Sequence, residues 1–441
     1  MKYKPSRYNY CHSCKDNRLL LYNSYVGTGS FIEVSERKAK LVKEMLKNGS
    51  DRMDDITEIL IDKGFLVLEG YDEIKLKNFR ILEQVTDSML YLIILPTEQC
   101  NFRCKYCYEQ FKKGKMEIAI QNSIVKFVQK NIYKYTGLHV GWFGGEPLEA
   151  LDVIEYLSQS FKNICKMARK SYSASMTTNG YGLSLEVFNR LYDFGICNYQ
   201  ITIDGLKEDH DRQRVLGNGE GTFSTIIENL LRIKDETNYR KTSIIIRTNF
   251  TKSIFKHIRE YLDFYTQTFG KDKRFNFYIH MASDWGGSNV KAFNQELLAW
   301  QQYRDIISEI LQYSKMINFD THLSHLDYQG CTCYASKKNS VVIGSDGTLY
   351  KCTGDFEFEQ NKVGKITLDG RMDFNENYYL WIGGMCACDK KCDNCYYSAC
   401  CLSNNCPAVR VRGLNNDVCS FEKEHMGLFL ELFDEKLFYK I

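Results

Sequence analysis

The sequence predicts an α/β protein: a parallel sheet, open or curled into a partial barrel, preceded by a small α+β module and followed by a cysteine-rich region. Three observations carry this. Between Met89 and Ala282, six apolar strand-like runs alternate with amphipathic helical stretches, the pattern of right-handed βα crossovers. The first 85 residues mix strand and helix signals on a smaller scale. Cysteine is in excess at 18, with eleven in residues 331–419.

The elements follow in order. Residues 19–25 read as a strand, and 35–48 as a helix from the spacing of Val34, Leu41, Val42, Met45 and Leu46. Residues 54–63 read as a second helix and 64–68 as a second strand, which suits a small α+β or winged-helix-like module. The alternation then runs 89–95 (strand), 118–133 (helix), 138–143 (strand) and 151–167 (helix). It continues as 173–177 and 185–194, 199–203 and 223–237, 243–250 and 254–268, closing with a strand at 275–282. A longer helix at 295–317 leads to a hairpin at 340–352 that turns at Ser345-Asp346-Gly347, and an amphipathic helix at 421–438 ends the chain.

The 441 residues have room for about three domains. Charged residues at 26% and hydrophobic ones at 44% are ordinary globular values and exclude disordered and collagen-like classes. The 58 Lys+Arg against 55 Asp+Glu are too balanced to argue for a nucleic-acid partner. No apolar run approaches the roughly 18 residues of a membrane span, and Met1-Lys2-Tyr3-Lys4-Pro5 opens no apolar signal segment. A cytoplasmic protein with no membrane partner is expected. In a reducing compartment, clustered cysteines read as metal ligands or catalytic thiols rather than disulfides.

Just after the first strand of the series comes Cys100-Asn101-Phe102-Arg103-Cys104-Lys105-Tyr106-Cys107, spaced C-x3-C-x2-C. Three thiolates at this spacing can hold three corners of a [4Fe–4S] cube, leaving one iron without a protein ligand, and catalytic metal sites keep such an open position. A zinc knuckle with a distant fourth ligand, or simply buried cysteines, is the plainer alternative. Against it stand the loop's place at the C-terminal end of a strand, where sites in such folds collect, and Tyr106 directly before the last cysteine.

This spacing with its aromatic resembles the radical SAM superfamily. Trp142-Phe143-Gly144-Gly145-Glu146-Pro147 resembles the superfamily's GGE(P) element, Thr177-Thr178-Asn179-Gly180 its TNG turn, and Thr202-Ile203-Asp204-Gly205 with His210-Asp211-Arg212-Gln213-Arg214 its S-x-D-G…HDxxR stretch. Thr202 stands where the family usually has Ser. The resemblance implies a partial (β/α)6 barrel, with Cys100, Cys104 and Cys107 as cluster ligands at the heart of catalysis. It implies that S-adenosylmethionine is received by Tyr106, Gly144, Gly145, Glu146, Pro147, Asn179, Thr202, Asp204 and Arg214. One-electron cleavage would yield a 5′-deoxyadenosyl radical that abstracts hydrogen from substrate, drawing on an external low-potential reductant of the flavodoxin or ferredoxin type.

Farther on, Cys333-x13-Gly347-x4-Cys352 and Cys392-x2-Cys395-x5-Cys401-x4-Cys406…Cys419 resemble the SPASM domain, departing from it by one residue before Cys406. The resemblance implies two auxiliary [4Fe–4S] clusters, three clusters in all. Cys392, Cys395, Cys401 and Cys419 would hold the distal one. Cys352 and Cys406 would hold the proximal one with Cys331 and/or Cys333, Cys386 and Cys388 standing in reserve. Adjacent Cys400 leaves open which of Cys400 and Cys401 is the ligand, and two structural zincs are the alternative to iron–sulfur. The N-terminal layout resembles the PqqD-like peptide-recognition domains fused to peptide maturases.

The expected organisation is a recognition module at 1–85, the radical SAM partial barrel at 86–290, a helical bridge at 291–329 and the SPASM domain at 330–441. The expected function is that of a maturase which binds a ribosomal precursor peptide through its leader and installs a crosslink, a thioether first, with carbon–carbon or carbon–oxygen bonds as near variants. Alternatives are an anaerobic sulfatase-maturating type of enzyme, which makes formylglycine from Cys or Ser, and a non-catalytic iron–sulfur carrier. Cys11-His12-Ser13-Cys14 is a lone CxxC read as incidental. Cys165 and Cys197 read as core, and His139, His257, His280, His322 and His325 have no partner in sequence.

Overall fold

The structure, a computed structural model, describes residues 2–441 apart from 87, 283–292, 299–301, 303–304, 308, 311–312, 314–315, 317–322, 328–331, 355, 384–389, 403–405, 414–418 and 434. Cys331, Cys386, Cys388, His322 and much of the helix expected at 295–317 lie outside the described residues. The chain divides into two packed units that interleave along it, where the sequence reading placed linear boundaries. One comprises Met1–Asp87, Thr321–Lys338 and Tyr379–Ile441; the other comprises Ser88–Asp320 and Asn339–Tyr378.

The first unit begins with β1 (Tyr3–Pro5), β2 (Asn9–Ser13), β3 (Leu19–Asn23), β4 (Gly27–Val34), α1 (Glu36–Asn48), α2 (Asp55–Asp62), β5 (Leu66–Leu68) and α3 (Glu73–Val85). Strands β2, β3 and β4 form an antiparallel meander, the C-terminal strand Tyr439–Lys440 lies parallel to β4, and β1 pairs antiparallel with β5. Leu19, Leu21, Ile32 and Val34 of the sheet bury against Val42, Met45, Leu60 and Phe65. Two strands were expected here. β1, β2 and β4 escaped notice because they are short, polar or opened by Gly27-Thr28-Gly29, and acquire their order from strand pairing rather than from apolar content. The single C-terminal helix expected at 421–438 is instead Phe421–Glu424, Met426–Leu432 and a turn at Glu435–Leu437. Phe433 and Phe438 both stack on Phe31, with ring centroids 5.7 and 5.1 Å away. Residues five apart on a continuous helix point about 140° from each other, so the break lets both rings reach one neighbour.

The second unit runs β6 (Met89–Ile94), α4 (Ile118–Asn131), β7 (Gly137–Trp142), α5 (Leu151–Ala168), β8 (Ser171–Thr178), α6 (Leu185–Asp193), β9 (Ile196–Thr202), α7 (Lys207–Gln213), α8 (Phe223–Glu236), β10 (Ser243–Phe250), α9 (Lys252–Lys256), α10 (Ile258–Thr268) and β11 (Phe275–Met281). All six strands pair in parallel in the order β6-β7-β8-β9-β10-β11, as the βα alternation predicts. The helix expected at 254–268 is split at His257, whose backbone leaves the helical region. Alternate strand residues such as Leu92, Val140, Met176, Ile201 and Ile246 are wholly buried. On the opposite strand face, His139 lies 2.8 Å from Ser173 Oγ and 3.1 Å from Ser175 Oγ and stacks on Tyr91, so the histidine is partnered after all.

The hairpin of β12 (Ser340–Ile343) and β13 (Thr348–Tyr350) forms as expected, but it does not stand apart. β12 joins β6 in parallel, pairing Tyr91 with Ser340 through Ile94 with Ile343, and β14 (Lys362–Ile366) and β15 (Met372–Phe374) extend the sheet to ten strands.

Candidate active site

The three-cysteine loop follows β6 and is tied by backbone hydrogen bonds to the segment 213–217 of the same unit. Asn101 carbonyl accepts from Gly217 N (2.9 Å), Arg103 N donates to Val215 carbonyl (2.8 Å), and Lys105 N donates to Gln213 carbonyl (3.0 Å). Phe102, buried to 1% exposure, fills the space beneath the loop. The Phe102 N–H is aimed at Cys100 Sγ at 3.3 Å. Burial pushes the Cys100 thiol up to about 12, and the neighbouring Cys104 adds to the shift. Burial likewise raises Cys104 and Cys107, and for Cys107 the other two thiols add to it.

Tyr106 carries the centre of the site. Its hydroxyl donates to Asp204 Oδ2 and accepts from Arg214 Nη1 (2.6 Å) and Asn249 Nδ2 (3.1 Å). The other carboxylate oxygen of Asp204 accepts from Asn249 N at 2.8 Å. These groups come from the cysteine loop and from just beyond the C-terminal ends of β9 and α7, with Asn249 next to the last residue of β10; parallel strands deliver their ends to one edge. Below them, Asp204 N–H donates to His210 Nδ1 (3.1 Å), which leaves the proton on Nε2 to meet Thr222 Oγ1 (3.1 Å); that hydroxyl donates to Arg214 carbonyl (2.7 Å). Burial, with the charge of Arg214, lowers His210 to about 3, so it stays neutral. Arg214 Nε is buried with no hydrogen-bond partner among the described residues.

Glu146 anchors the second half. Its carboxylate accepts from Thr178 Oγ1 (2.6 Å), Asn179 N (2.7 Å) and Leu148 N (3.1 Å), and burial raises it to about 7. Asn179 Nδ2 reaches Asn101 Oδ1 at 2.8 Å, tying the turn after β8 to the cysteine loop. The two glycines ahead of Glu146 serve a close approach to the backbone that enters the loop: a Cβ on Gly144 would sit 2.3 Å from Thr97 carbonyl, and one on Gly145 2.3 Å from Gln99 carbonyl. Pro147 starts the turn Pro147–Ala150 that Glu146 caps, and Thr202 ends β9, buried and in register with Arg247. The structure thus brings all twelve residues expected at this site to one end of the parallel sheet. It adds Asn101, Asn249, His210 and Thr222. The last two lie within or near the HDxxR stretch, but nothing local marks the asparagines.

Residues 94–262 match the radical SAM superfamily. They form a radical SAM domain. The chain that carries it is a radical SAM enzyme, which sets aside the reading as a passive iron–sulfur carrier. It is 21% identical over 402 residues to the radical SAM cyclopropyl synthase TigE of Paramaledivibacter caminithermalis, covering 83% of this chain and 79% of the relative. It is 24% identical over 342 residues to a cysteine-type anaerobic sulfatase-maturating enzyme of Clostridium novyi, covering 72% and 87%. Among solved structures it resembles anSMEcpe with bound AdoMet and the Cp18Cys peptide (TM-score 0.61, 18% identity, 79% of this chain and 98% of that one). It also resembles Streptococcus suis SuiB bound to the precursor peptide SuiA (TM-score 0.51, 16% identity, 95% and 97%). These likenesses establish the fold of the parallel-sheet domain.

The radical SAM family implies S-adenosylmethionine and a [4Fe–4S] cluster, and the residues here fit both. Three partly buried thiols, two of them raised further by a neighbouring thiol, are chemically suited to a polycation that would take their protons, and an N–H directed at a sulfur suits a thiolate. The orphaned, buried Arg214 Nε offers a charged donor beside the loop.

The C-terminal cysteines divide by what surrounds them. Cys395 feels the charge of both Cys392 and Cys419. Lys423 Nζ lies 3.1 Å from Cys419 Sγ, and Arg410 Nη2 lies 3.8 Å from Cys392 Sγ. Cys400 is wholly buried and its thiol donates to His325 carbonyl at 3.1 Å, whereas Cys401 and Cys406 are partly exposed. In the other unit, the Cys352 turn is built on buried Asn361, which accepts from Lys351 N and Cys352 N and donates to Cys352 carbonyl. Gly354 N–H points at Cys352 Sγ at 3.3 Å, repeating the arrangement at Cys100. Cys333 is partly exposed at the start of the turn Tyr334–Ser336. Cys165 is core as expected, but Cys197 lies in β9 and is partly exposed rather than core.

Proposed function

We propose that this enzyme is a peptide maturase: it binds a ribosomal precursor peptide through its leader, abstracts hydrogen from one residue of that peptide and installs a crosslink, a thioether first among the possible bonds. The observation that carries the reading is an apolar cavity of about 360 Å³ in the N-terminal module, lined by Tyr3, Tyr25, Val26, Leu66, Leu68 and Leu76, between β5 and the start of α3. Beside it, α3 leaves Ile74, Phe79 and Leu82 exposed, with Phe79 at 60%. An extended peptide docks on such a strand-and-helix surface with its apolar side chains. The whole-chain likeness to SuiB, whose structure holds a precursor peptide, supports the same reading.

When bound, the cluster and S-adenosylmethionine supply one-electron reductive cleavage and a radical able to take hydrogen from carbon. The protein's share is orientation. Cys100, Cys104 and Cys107 hold the cluster. Thr202 and Asn179 at the strand ends and Arg214 at the end of α7 would hold S-adenosylmethionine, while Tyr106, Asp204, Asn249 and Glu146 fix those groups in place. Cys392, Cys395, Cys401 and Cys419 hold one auxiliary cluster. The hydrogen bond that turns Cys400 toward His325 supports Cys401 as the ligand, and Lys423 and Arg410 offset the thiolate charge. Cys352, at whose sulfur an N–H is aimed, serves the other auxiliary cluster.

A sulfatase-maturating type of activity is the second reading, favoured by the higher TM-score to anSMEcpe. The test uses the full-length reconstituted enzyme and a leader peptide taken from a short reading frame beside the gene. Phe79→Ser and Leu82→Ser should each weaken leader binding roughly tenfold, the scale of one lost apolar anchor, and leave 5′-deoxyadenosine formation unchanged. Product mass should show the loss of two hydrogens. Formylglycine made from a sulfatase peptide, with no leader bound, would overturn the proposal.

A further inference from the structure

The CxxC at the start of the chain has a partner that sequence could not show. Strand alternation turns His12 and Cys11 to opposite faces of β2, and Cys14 follows the strand's end. His12 and Cys14 meet Glu431, from the helix Met426–Leu432: one ligand atom from each, the imidazole nitrogen, the thiol sulfur and a carboxylate oxygen, all lie within 4.8 Å of one another. His12 Nε2 is 2.8 Å from Glu431 Oε1. The other side of the ring is set by Gly427, where a Cβ would fall 2.4 Å from His12 Nδ1. The helix can approach the strand this closely only because that residue lacks a side chain, and the approach directs Nε2 toward the carboxylate. All three groups belong to one packed unit and are partly open to solvent.

We propose that His12, Cys14 and Glu431 bind one zinc ion, separate from every iron–sulfur ligand, which clamps β2 to the C-terminal helix. A neutral imidazole, a thiolate and a carboxylate carry two negative charges, matched by a divalent cation. The mixed nitrogen, sulfur and oxygen set suits zinc, which binds sulfur at about 2.3 Å and nitrogen or oxygen at about 2.0–2.2 Å. A simple His12–Glu431 ion pair would need no thiol as a third neighbour. The fourth position is open to water, because strand alternation turns Cys11 away. β2 is an end strand of its sheet, and a metal clamp there restrains a strand that has a sheet neighbour on a single side.

The test is metal analysis of the full-length, anaerobically reconstituted enzyme purified in the presence of zinc. About one zinc per chain is expected, with zinc-edge absorption spectra fitted by a single sulfur among lighter ligands. Cys14→Ser, His12→Ala and Glu431→Gln should each lower zinc occupancy at sub-saturating zinc roughly tenfold, while iron content and 5′-deoxyadenosine formation stay at the parent level. Glu431 is half exposed, so its variant tests the site without burdening folding. The proposal is overturned if the parent binds no zinc, if zinc persists in all three variants, if the spectrum shows an all-sulfur shell, or if Cys14→Ser loses iron.

Discussion

Two cysteine-bearing segments of this protein are built on opposite principles. The loop at 100–107 is held by neighbours before any ligand is considered: backbone hydrogen bonds to residues 213–217, the Asn101–Asn179 link and the Tyr106 hydroxyl shared among Asp204, Arg214 and Asn249. Among the described residues the segment 392–419 has short helices, Ser398–Cys401 and Pro407–Val411 among them, and Cys419 and Cys392 lie beside two partly exposed cations, Lys423 and Arg410. The loop at 100–107 has beside it the buried Arg214, hydrogen-bonded to Tyr106. The difference teaches that a site meant to orient a reacting cofactor is pre-organised by the fold. On the proposed reading, the segment 392–419 is organised instead by the metal it binds, since binding free energy then serves as folding free energy.

The sharpest way to break this comparison is to remove one thiol from each segment. Cys104→Ala should reduce 5′-deoxyadenosine formation to background under dithionite. Cys395→Ala should keep that reaction, lose about one cluster's worth of iron and make 392–419 readily cleaved by protease. Equal loss of cofactor cleavage in the two variants would end the distinction. Next in size, Gly145→Ala drives a Cβ into Gln99 carbonyl and should destabilise the enzyme by about 1–3 kcal/mol or more, read from denaturant midpoints. Tyr106→Phe leaves the buried Asp204 Oδ2 without its donor and should lose about 1–3 kcal/mol, with a weaker affinity for S-adenosylmethionine; an unchanged midpoint would mean the network is not structural.

The smallest effect is read along pH. His210 is lowered by burial from 6.5 to about 3 in the native state. Above pH 6.5 both states hold it neutral and its contribution is complete. As pH falls the unfolded chain takes up a proton that the native state refuses, so stability drops by up to about 1.4 kcal/mol per pH unit between 6.5 and 3. His210→Gln should flatten that limb while the three-cysteine loop still binds iron.

Much of this was legible in the chain. The six parallel strands sit within a few residues of their predicted positions, because each is a short apolar run between helices whose periodicity is local information. The cysteine loop and the turns after β7, β8 and β9 were visible for the same reason: each is a short motif at a strand end. Asn249 was not visible, since its value lies wholly in facing Tyr106 and Asp204 across 143 and 45 positions. Nor was the fate of Cys400, for two adjacent cysteines differ only in which way a short helix turns them. The split of the C-terminal helix was missed because Phe31, more than 400 positions earlier, decides where Phe433 and Phe438 must point.

The sequence by itself determined the order of strands and helices in the parallel-sheet domain, the spacing of the three-thiol loop and the family to which that loop belongs. All of these follow from spacing along a chain. Only the tertiary structure decided that β12 continues the sheet beside β6, that Glu146 spends its carboxylate bracing the turn after β8, and that His12 and Cys14 meet Glu431. The reason is physical: a hydrogen bond or a ligand set needs atoms within a few ångströms, and closing a long loop costs so little more than closing a short one that sequence separation carries almost no information about who those neighbours will be.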